Sequence, residues 1–114
     1  MAPEQAFGDP KAIGPWSDIF AIGAILYELL TGQQPFAGGS ADSTLRRLLN
    51  DVPETPQRAL DRTFPDGPRP NVPPALEELC MSCLEKNPTR RPASAEELGT
   101  IFEQFLSHTA NRPR

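Results

Sequence analysis

Histidine occurs once and cysteine twice in these 114 residues, at His108, Cys80 and Cys83. A structural zinc site takes four nitrogen or sulfur ligands, so none is expected here. Two cysteines are too few for the disulfide framework of a small secreted domain. The opening MAPEQAFGDP lacks the basic start and apolar run of a secretory leader. A reducing, cytoplasmic setting is therefore expected. Eleven basic residues stand against fifteen acidic ones, and Arg46-Arg47 and Arg90-Arg91 are isolated basic pairs. With no basic stripe, nucleic acid is not an expected partner. No glycine-rich phosphate loop is present, because Gly38-Gly39 has no strand before it. No Ser–His–acid set can be assembled around the single histidine.

What the chain has in excess is proline, fourteen in all, about twice the usual share of ~5%. Seven of them fall at Pro53, Pro56, Pro65, Pro68, Pro70, Pro73 and Pro74. Residues 51–73 therefore read as a long connection without helical period, of a length that suggests a part of the fold lying against it.

One stretch stands apart, Ser17–Phe36. Between Asp18 and Leu30 only Asp18, Gly23 and Glu28 are neither apolar nor aromatic. A helix apolar all round lies inside a protein. At about 1.5 Å per residue it is near 20 Å long, too short for a bilayer of about 30 Å. The expectation is a central buried helix with Ser17 as N-cap, Gly32 as C-terminal stop, and Pro35-Phe36 as a rigid anchor beyond it.

Around it, residues 1–16 read as a loop whose Met1, Ala2, Phe7, Ile13 and Trp16 pack over the helix. SADSTLRRLLND reads as a short amphipathic helix capped by Ser40 or Asp42, with Leu45, Leu48 and Leu49 on one face. Leu76, Leu79, Cys80, Cys83 and Leu84 make another helical face, begun by Pro74 and ended by Asn87-Pro88. A Ser94–Glu97 capping box opens a last helix with Leu98, Ile101, Phe102, Phe105 and Leu106 inward. Residues 107–114 read as a frayed tail. The predicted class is all-α, roughly four helices around one central buried helix.

Three sets of side chains invite a chemical reading. Cys80 and Cys83 lie on an apolar helix face, where free cysteine behaves as a small hydrophobe. Glu4 and Arg91 are charges in segments otherwise suited to burial. Either they are exposed and worth at most ~1 kcal/mol if paired, or they form a buried bidentate pair clasping the two ends. Asp18 is either a first-turn acid favoured by the helix dipole or an acceptor for the backbone of a neighbouring loop. Residue spacing leaves both choices open.

In order, Ala2-Pro3-Glu4, Asp18-x-x-x-x-Gly23, Leu26-Tyr27-Glu28-x-x-x-Gly32-x-x-Pro35-Phe36 and Arg91-Pro92 together resemble the C-terminal part of a protein kinase, whose activation segment ends in the A-P-E triplet. The wording CLEKNPTRRPASAEEL is similar to bacterial kinases of the eukaryotic-like Ser/Thr class. The resemblance covers residues 1–106. It implies that Glu4 pairs with Arg91, that Asp18 bonds to the catalytic-loop backbone, and that Ile25 and Leu29 support the catalytic spine. It also implies that Met1, Ala2 and Pro3, together with the helix of Leu45, Leu48 and Leu49, help dock protein substrates or partners. Phosphoryl transfer further needs a glycine-rich loop, a small-lobe lysine, a catalytic Asp and Asn, and a D-F-G aspartate for Mg²⁺. None of these motifs occurs in the 114 residues. The expectation is a partial kinase domain whose partner is a missing N-terminal kinase portion. ATP and Mg²⁺ then belong to the intact family, and no cofactor or metal to this chain. The alternative is a kinase remnant retained as a non-catalytic binding module.

Overall fold

A computed structural model describes residues 2–6, 10–68 and 71–110. Met1 and Phe7 lie outside the described residues, as do the side chains of Phe105 and His108. The described part is helical, with six α-helices: α1 Pro3–Ala6, α2 Pro15–Thr31, α3 Ala41–Asn50, α4 Pro56–Thr63, α5 Pro74–Cys83 and α6 Ala95–Ala110. Short 3-10 turns stand at Pro10–Ala12 and Pro88–Arg90.

α2 begins three residues earlier than expected. Pro15 occupies its first turn, where a missing N–H costs nothing, and Gly14 is the N-cap in extended backbone. Ser17 is therefore not the cap but lies one turn in, its hydroxyl turned toward Glu4. At the other end Gly32 adopts φ 73° and its N–H bonds to the Glu28 carbonyl at 2.7 Å. That left-handed conformation suits glycine and closes the helix where expected.

α2 is the axis of the molecule but is not buried on all sides. Ile19, Phe20 and Tyr27 are buried, whereas Ile25 is 58% and Leu29 78% exposed. The reason is geometric. The chain measures 49 × 36 × 16 Å, and a helix with side chains is about 10–12 Å across. So thin a slab covers α2 on two flanks and leaves a third open. One flank holds a core of Ala2, Phe20, Tyr27, Phe36, Leu48, Ala59, Cys80 and Leu84. A second holds Ile19, Leu79, Cys83 and Leu98.

Gly23 lets α2 and α5 approach at their crossing. A Cβ placed there meets the Cys83 Cβ at 2.5 Å and the Cys83 carbonyl carbon at 3.3 Å. Glycine to alanine inside a helix ordinarily stabilises by about 1 kcal/mol. Here Gly23→Ala is expected to destabilise by ~1–3 kcal/mol, the cost of overpacking. A thermal melt checks the sign, and an unchanged or raised Tm refutes the close approach.

Elsewhere the structure departs from expectation at four places. Residues 1–16 hold α1 and a 3-10 turn, and Ile13 is exposed rather than packed on α2. Inside the proline-rich connection, Thr55 caps α4 by accepting from the Arg58 N–H at 3.3 Å, and Ala59 and Leu60 are buried. α5 ends at Cys83, short of Asn87-Pro88: its last turn tightens as the Leu84 N–H reaches the Met81 as well as the Cys80 carbonyl and the Glu85 N–H the Ser82 carbonyl, and the carbonyls of Glu85 and Lys86 beyond it bond to Arg91. α6 runs on to Ala110, and Leu106 is exposed because α6 there extends past the packed core. The Ser40 cap forms as expected, accepting from the Ser43 N–H at 3.2 Å. Ser94 Oγ accepts the Glu97 N–H at 3.1 Å, while the Glu97 carboxylate reaches the Ala93 N–H at 2.7 Å.

Candidate functional site

The most constrained polar cluster lies where α1, the start of α2 and the 3-10 turn before Arg91 converge. Arg91 is 4% exposed and Glu4 7%. Arg91 Nη1 donates to Glu4 Oε2 at 2.8 Å and Nη2 to Glu4 Oε1 at 2.9 Å, a parallel two-bond pair across 87 positions of sequence. Nη1 also donates to the Trp16 carbonyl at 2.8 Å, Nη2 to the Lys86 carbonyl at 3.3 Å, and Nε to the Glu85 carbonyl at 2.7 Å. A guanidinium has five N–H donors in a fixed fork, and these five bonds use them all. Glu4 Oε2 accepts further from the Ser17 hydroxyl at 2.7 Å.

The electrostatics follow from those contacts. Burial by itself raises the Glu4 pKa. The bonds from Arg91 and Ser17, a backbone bond and the arginine's charge outweigh it, holding the carboxyl below its ordinary 4.5. The Arg91 guanidinium also lies 4.9 Å over the Phe20 ring. Phe20 in turn stacks on Phe36 at 5.9 Å, and the Lys86 ammonium caps Phe36 at 4.5 Å while donating to the Leu48 carbonyl at 2.8 Å. The ion pair is thus continuous with the aromatic core and, through Lys86, with the end of α3.

The remaining candidate residues fall into two groups. Asp18 is exposed at the first turn of α2 and makes no hydrogen bond or ion pair with the described residues. It shares the uncovered side of the molecule with exposed Ile25 and Leu29. Ala2, Pro3 and Leu48 are buried, so among the described residues of the docking set exposed Leu45 and half-buried Leu49 reach the surface, while Met1 lies outside the described residues. An apolar groove of about 450 Å³ runs between α2 and α3, walled by Phe20, Ile25, Phe36, Leu45 and Leu48.

Sequence reasoning missed three parts of the cluster. Ser17 reads as an N-cap, whereas it stands one turn in, where its hydroxyl accepts the Gly14 N–H at 3.4 Å and donates to Glu4. The Trp16, Glu85 and Lys86 carbonyls carry no residue-type signature at all. Lys86, which by type suits a solvated helix end, draws its ammonium inward, and burial lowers its pKa.

Cys80 and Cys83 are buried free thiols. Burial above all raises their pKa values from an ordinary 9.0 to about 12 and about 11. In the folded chain both are expected to resist iodoacetamide at pH 8 and to react once urea unfolds it. Mass spectrometry of the alkylated chain checks this; labelling without urea refutes it. Among the described residues no group of three or more His, Cys, Asp or Glu side chains is placed to hold a metal ion. None of the described helices is long and apolar enough to cross a membrane.

Comparison with known proteins agrees with this geometry. The protein kinase domain family matches residues 1–108. The serine/threonine-protein kinase pkn3 of Myxococcus xanthus is 41% identical over 96 residues, 84% of this chain and 16% of that protein. PkaA of Streptomyces coelicolor, also a serine/threonine-protein kinase, is 39% identical over 98 residues, 86% of this chain and 15% of its own length. PknL of Mycobacterium tuberculosis, of the same description, is 37% identical over 111 residues, 96% of this chain and 25% of that protein. The chain thus spans a quarter or less of the length of these curated relatives. With the family match running from the Ala-Pro-Glu triplet through the helix that follows Arg91-Pro92, the chain belongs to the protein kinase domain family.

Proposed function

We propose that these residues form the C-terminal part of the large lobe of a Ser/Thr kinase that transfers the ATP γ-phosphate to protein serine and threonine. The observation that carries this reading is the Glu4–Arg91 pair. It fixes the end of an activation segment to the floor of the lobe, as a kinase requires and as an isolated helical adaptor does not. Asp18, Ile25 and Leu29 lie on the uncovered side of α2, where an upstream portion bearing the catalytic loop and the nucleotide site is to be seated. The residues present do not fit ATP or Mg²⁺. They include neither a phosphate loop nor the catalytic and metal-binding motifs of the family, so no step of phosphoryl transfer is assigned to them.

The test is a radiolabelled-phosphate assay with Mg²⁺, ATP and a protein substrate. The 114 residues alone are expected to be inactive, and a protein joining them to an upstream kinase portion active. Phosphotransfer by the isolated chain refutes the reading. Asp18→Ala separates support from chemistry. It is expected to move the Tm of the chain by less than about 4 °C, as a surface change does, while sharply lowering activity in the joined protein. If Asp18→Ala unfolds the chain, Asp18 has a different role.

A second reading, a non-catalytic binding module, has its own support. Among the described residues every fully buried side-chain nitrogen and oxygen has a hydrogen-bond partner, as a self-sufficient fold requires. That reading calls for a cooperative melt by circular dichroism, and a melt without a sigmoidal transition refutes it.

A further inference from the structure

Tyr27 belongs to the core beside α2 and is 3% exposed, yet its hydroxyl bonds to no other described residue. Every fully buried side-chain oxygen among the described residues has a partner. The Tyr27 hydroxyl is therefore not sealed in, and the opening it reaches is a cavity of about 370 Å³ that Tyr27 lines. That volume lies within the ~300–1,000 Å³ of small-molecule sites. Burial above all, then the Glu54 charge, pushes the phenol pKa up to about 12. Near neutral pH the hydroxyl thus keeps its proton and can donate it. A buried donor without an acceptor is costly, and a ligand oxygen placed there would satisfy it.

The cavity lies where the end of α2, the end of α3 and α4 come together, and its walls carry both signs of charge. Arg62 and Glu54 satisfy each other. Arg62 Nε donates to the Glu54 carboxylate at 3.0 and 3.3 Å, and Nη2 to the Gln33 amide oxygen at 2.9 Å. Arg47 and Asp51 do not pair. They stand one turn apart at the end of α3, with the Asp51 N–H on the Arg47 carbonyl at 2.9 Å, but no ion pair joins their side chains. The Asp51 charge also reaches Lys86, whose ammonium stays on the Leu48 carbonyl and the Phe36 ring. Pro35, Val52 and Pro53 add apolar wall.

An anion alone would face Asp51, and a cation alone would face Arg47. A small molecule carrying both charges suits the two together. We propose that this cavity binds a free α-amino acid with an apolar side chain. Its carboxylate accepts from Arg47 and the Tyr27 hydroxyl, its ammonium faces Asp51, and its side chain lies against Val52 and Pro53. On a helix of 3.6 residues per turn, Tyr27 points about 200° away from Ile25 and Leu29. The site is thus on the opposite side of α2 from that exposed pair and does not rest on the kinase reading.

The probe is L-leucine at millimolar concentration, titrated against the isotope-labelled whole chain by heteronuclear NMR. Amide shifts should centre on residues 33–37, 47 and 51–54. Isocaproate and isoamylamine, which are leucine without its ammonium and without its carboxylate, should bind at least tenfold more weakly. Tyr27→Phe keeps the ring and removes the hydroxyl. It is expected to weaken leucine binding at least tenfold and to leave the Tm unchanged or raised, because the hydroxyl has no partner to lose. Arg47→Gln, at an exposed position, should weaken binding equally, with helix content unchanged by circular dichroism. Absence of leucine binding, shifts centred elsewhere, a lowered Tm in Tyr27→Phe, or equal binding by either variant or either single-charge analogue would each overturn the proposal.

Discussion

Replacing Arg91 by alanine is expected to remove a large share of the chain's stability, about 3–5 kcal/mol. A single domain has only about 5–15 kcal/mol in total. The loss exceeds that of an exposed pair, at most ~1 kcal/mol, because it leaves the Glu4 charge buried without its cation, held only by Ser17 and a backbone bond, and frees three main-chain carbonyls. Arg91→Lys should recover little: an ammonium carries the charge on three donors that cannot reproduce the planar five-bond fork. Urea unfolding of Arg91→Ala, Glu4→Gln and the double variant closes a cycle. A loss under ~1 kcal/mol for either single variant refutes a stabilising clasp.

The same pair gives an acid dependence of defined sign. The Glu4 pKa is depressed on folding. Its contribution is therefore fully present above the unfolded value, near the ordinary 4.5, and fades as pH falls through the lower folded value. Below that range Glu4→Gln and the parent should converge in stability. A gap that persists undiminished in acid contradicts an ionised Glu4.

Phe20→Ala is the second large effect, at about 3–5 kcal/mol by analogy with other buried phenylalanines. Phe20 is almost fully buried and sits between the Arg91 guanidinium and the Phe36 ring. Its removal opens a cavity and also deletes one cation–π and one stacked contact. Because Phe20 touches Arg91, the two losses should not add. Phe20→Leu, which retains apolar volume, should lose less. The measurement is again chemical denaturation. A Phe20→Ala loss below ~1 kcal/mol, or strict additivity with Arg91→Ala, refutes the coupling of ion pair and core.

Much of the fold was readable because its determinants are local. Gly32, Ser40 and Ser94 announce helix ends by backbone conformation and hydroxyl bonds within three or four residues. The apolar faces of α3 and α5 repeat at helical spacing. α4 was hidden by proline density, although Thr55-Pro56 is a cap followed by a first-turn proline, and Pro56, Ala59, Leu60 and Thr63 fall at i, i+3, i+4 and i+7. Prolines at Pro53 and Pro56 read as breakers when one of them starts a helix. The early end of α5 is hidden for another reason: the tightened last turn at Leu84 and Glu85 has no residue-type signature, and the Glu85 and Lys86 carbonyls beyond it serve Arg91.

By itself the sequence determined the all-α class, the central place of α2, and the residue types from which a clasp and a kinase resemblance could be drawn. Hydrophobic period, caps and motif order are properties of neighbours along the chain. Only the tertiary structure decided that Glu4 and Arg91 meet, that Ser17 joins them, and that Gly23 marks a helix crossing. It alone decided that Ile25 and Leu29 face outward. Such facts depend on which surfaces come within a few ångströms across tens of residues, and composition is silent on that. A run of apolar residues states what a helix can bury, while the number of helices packed around it states what it does bury.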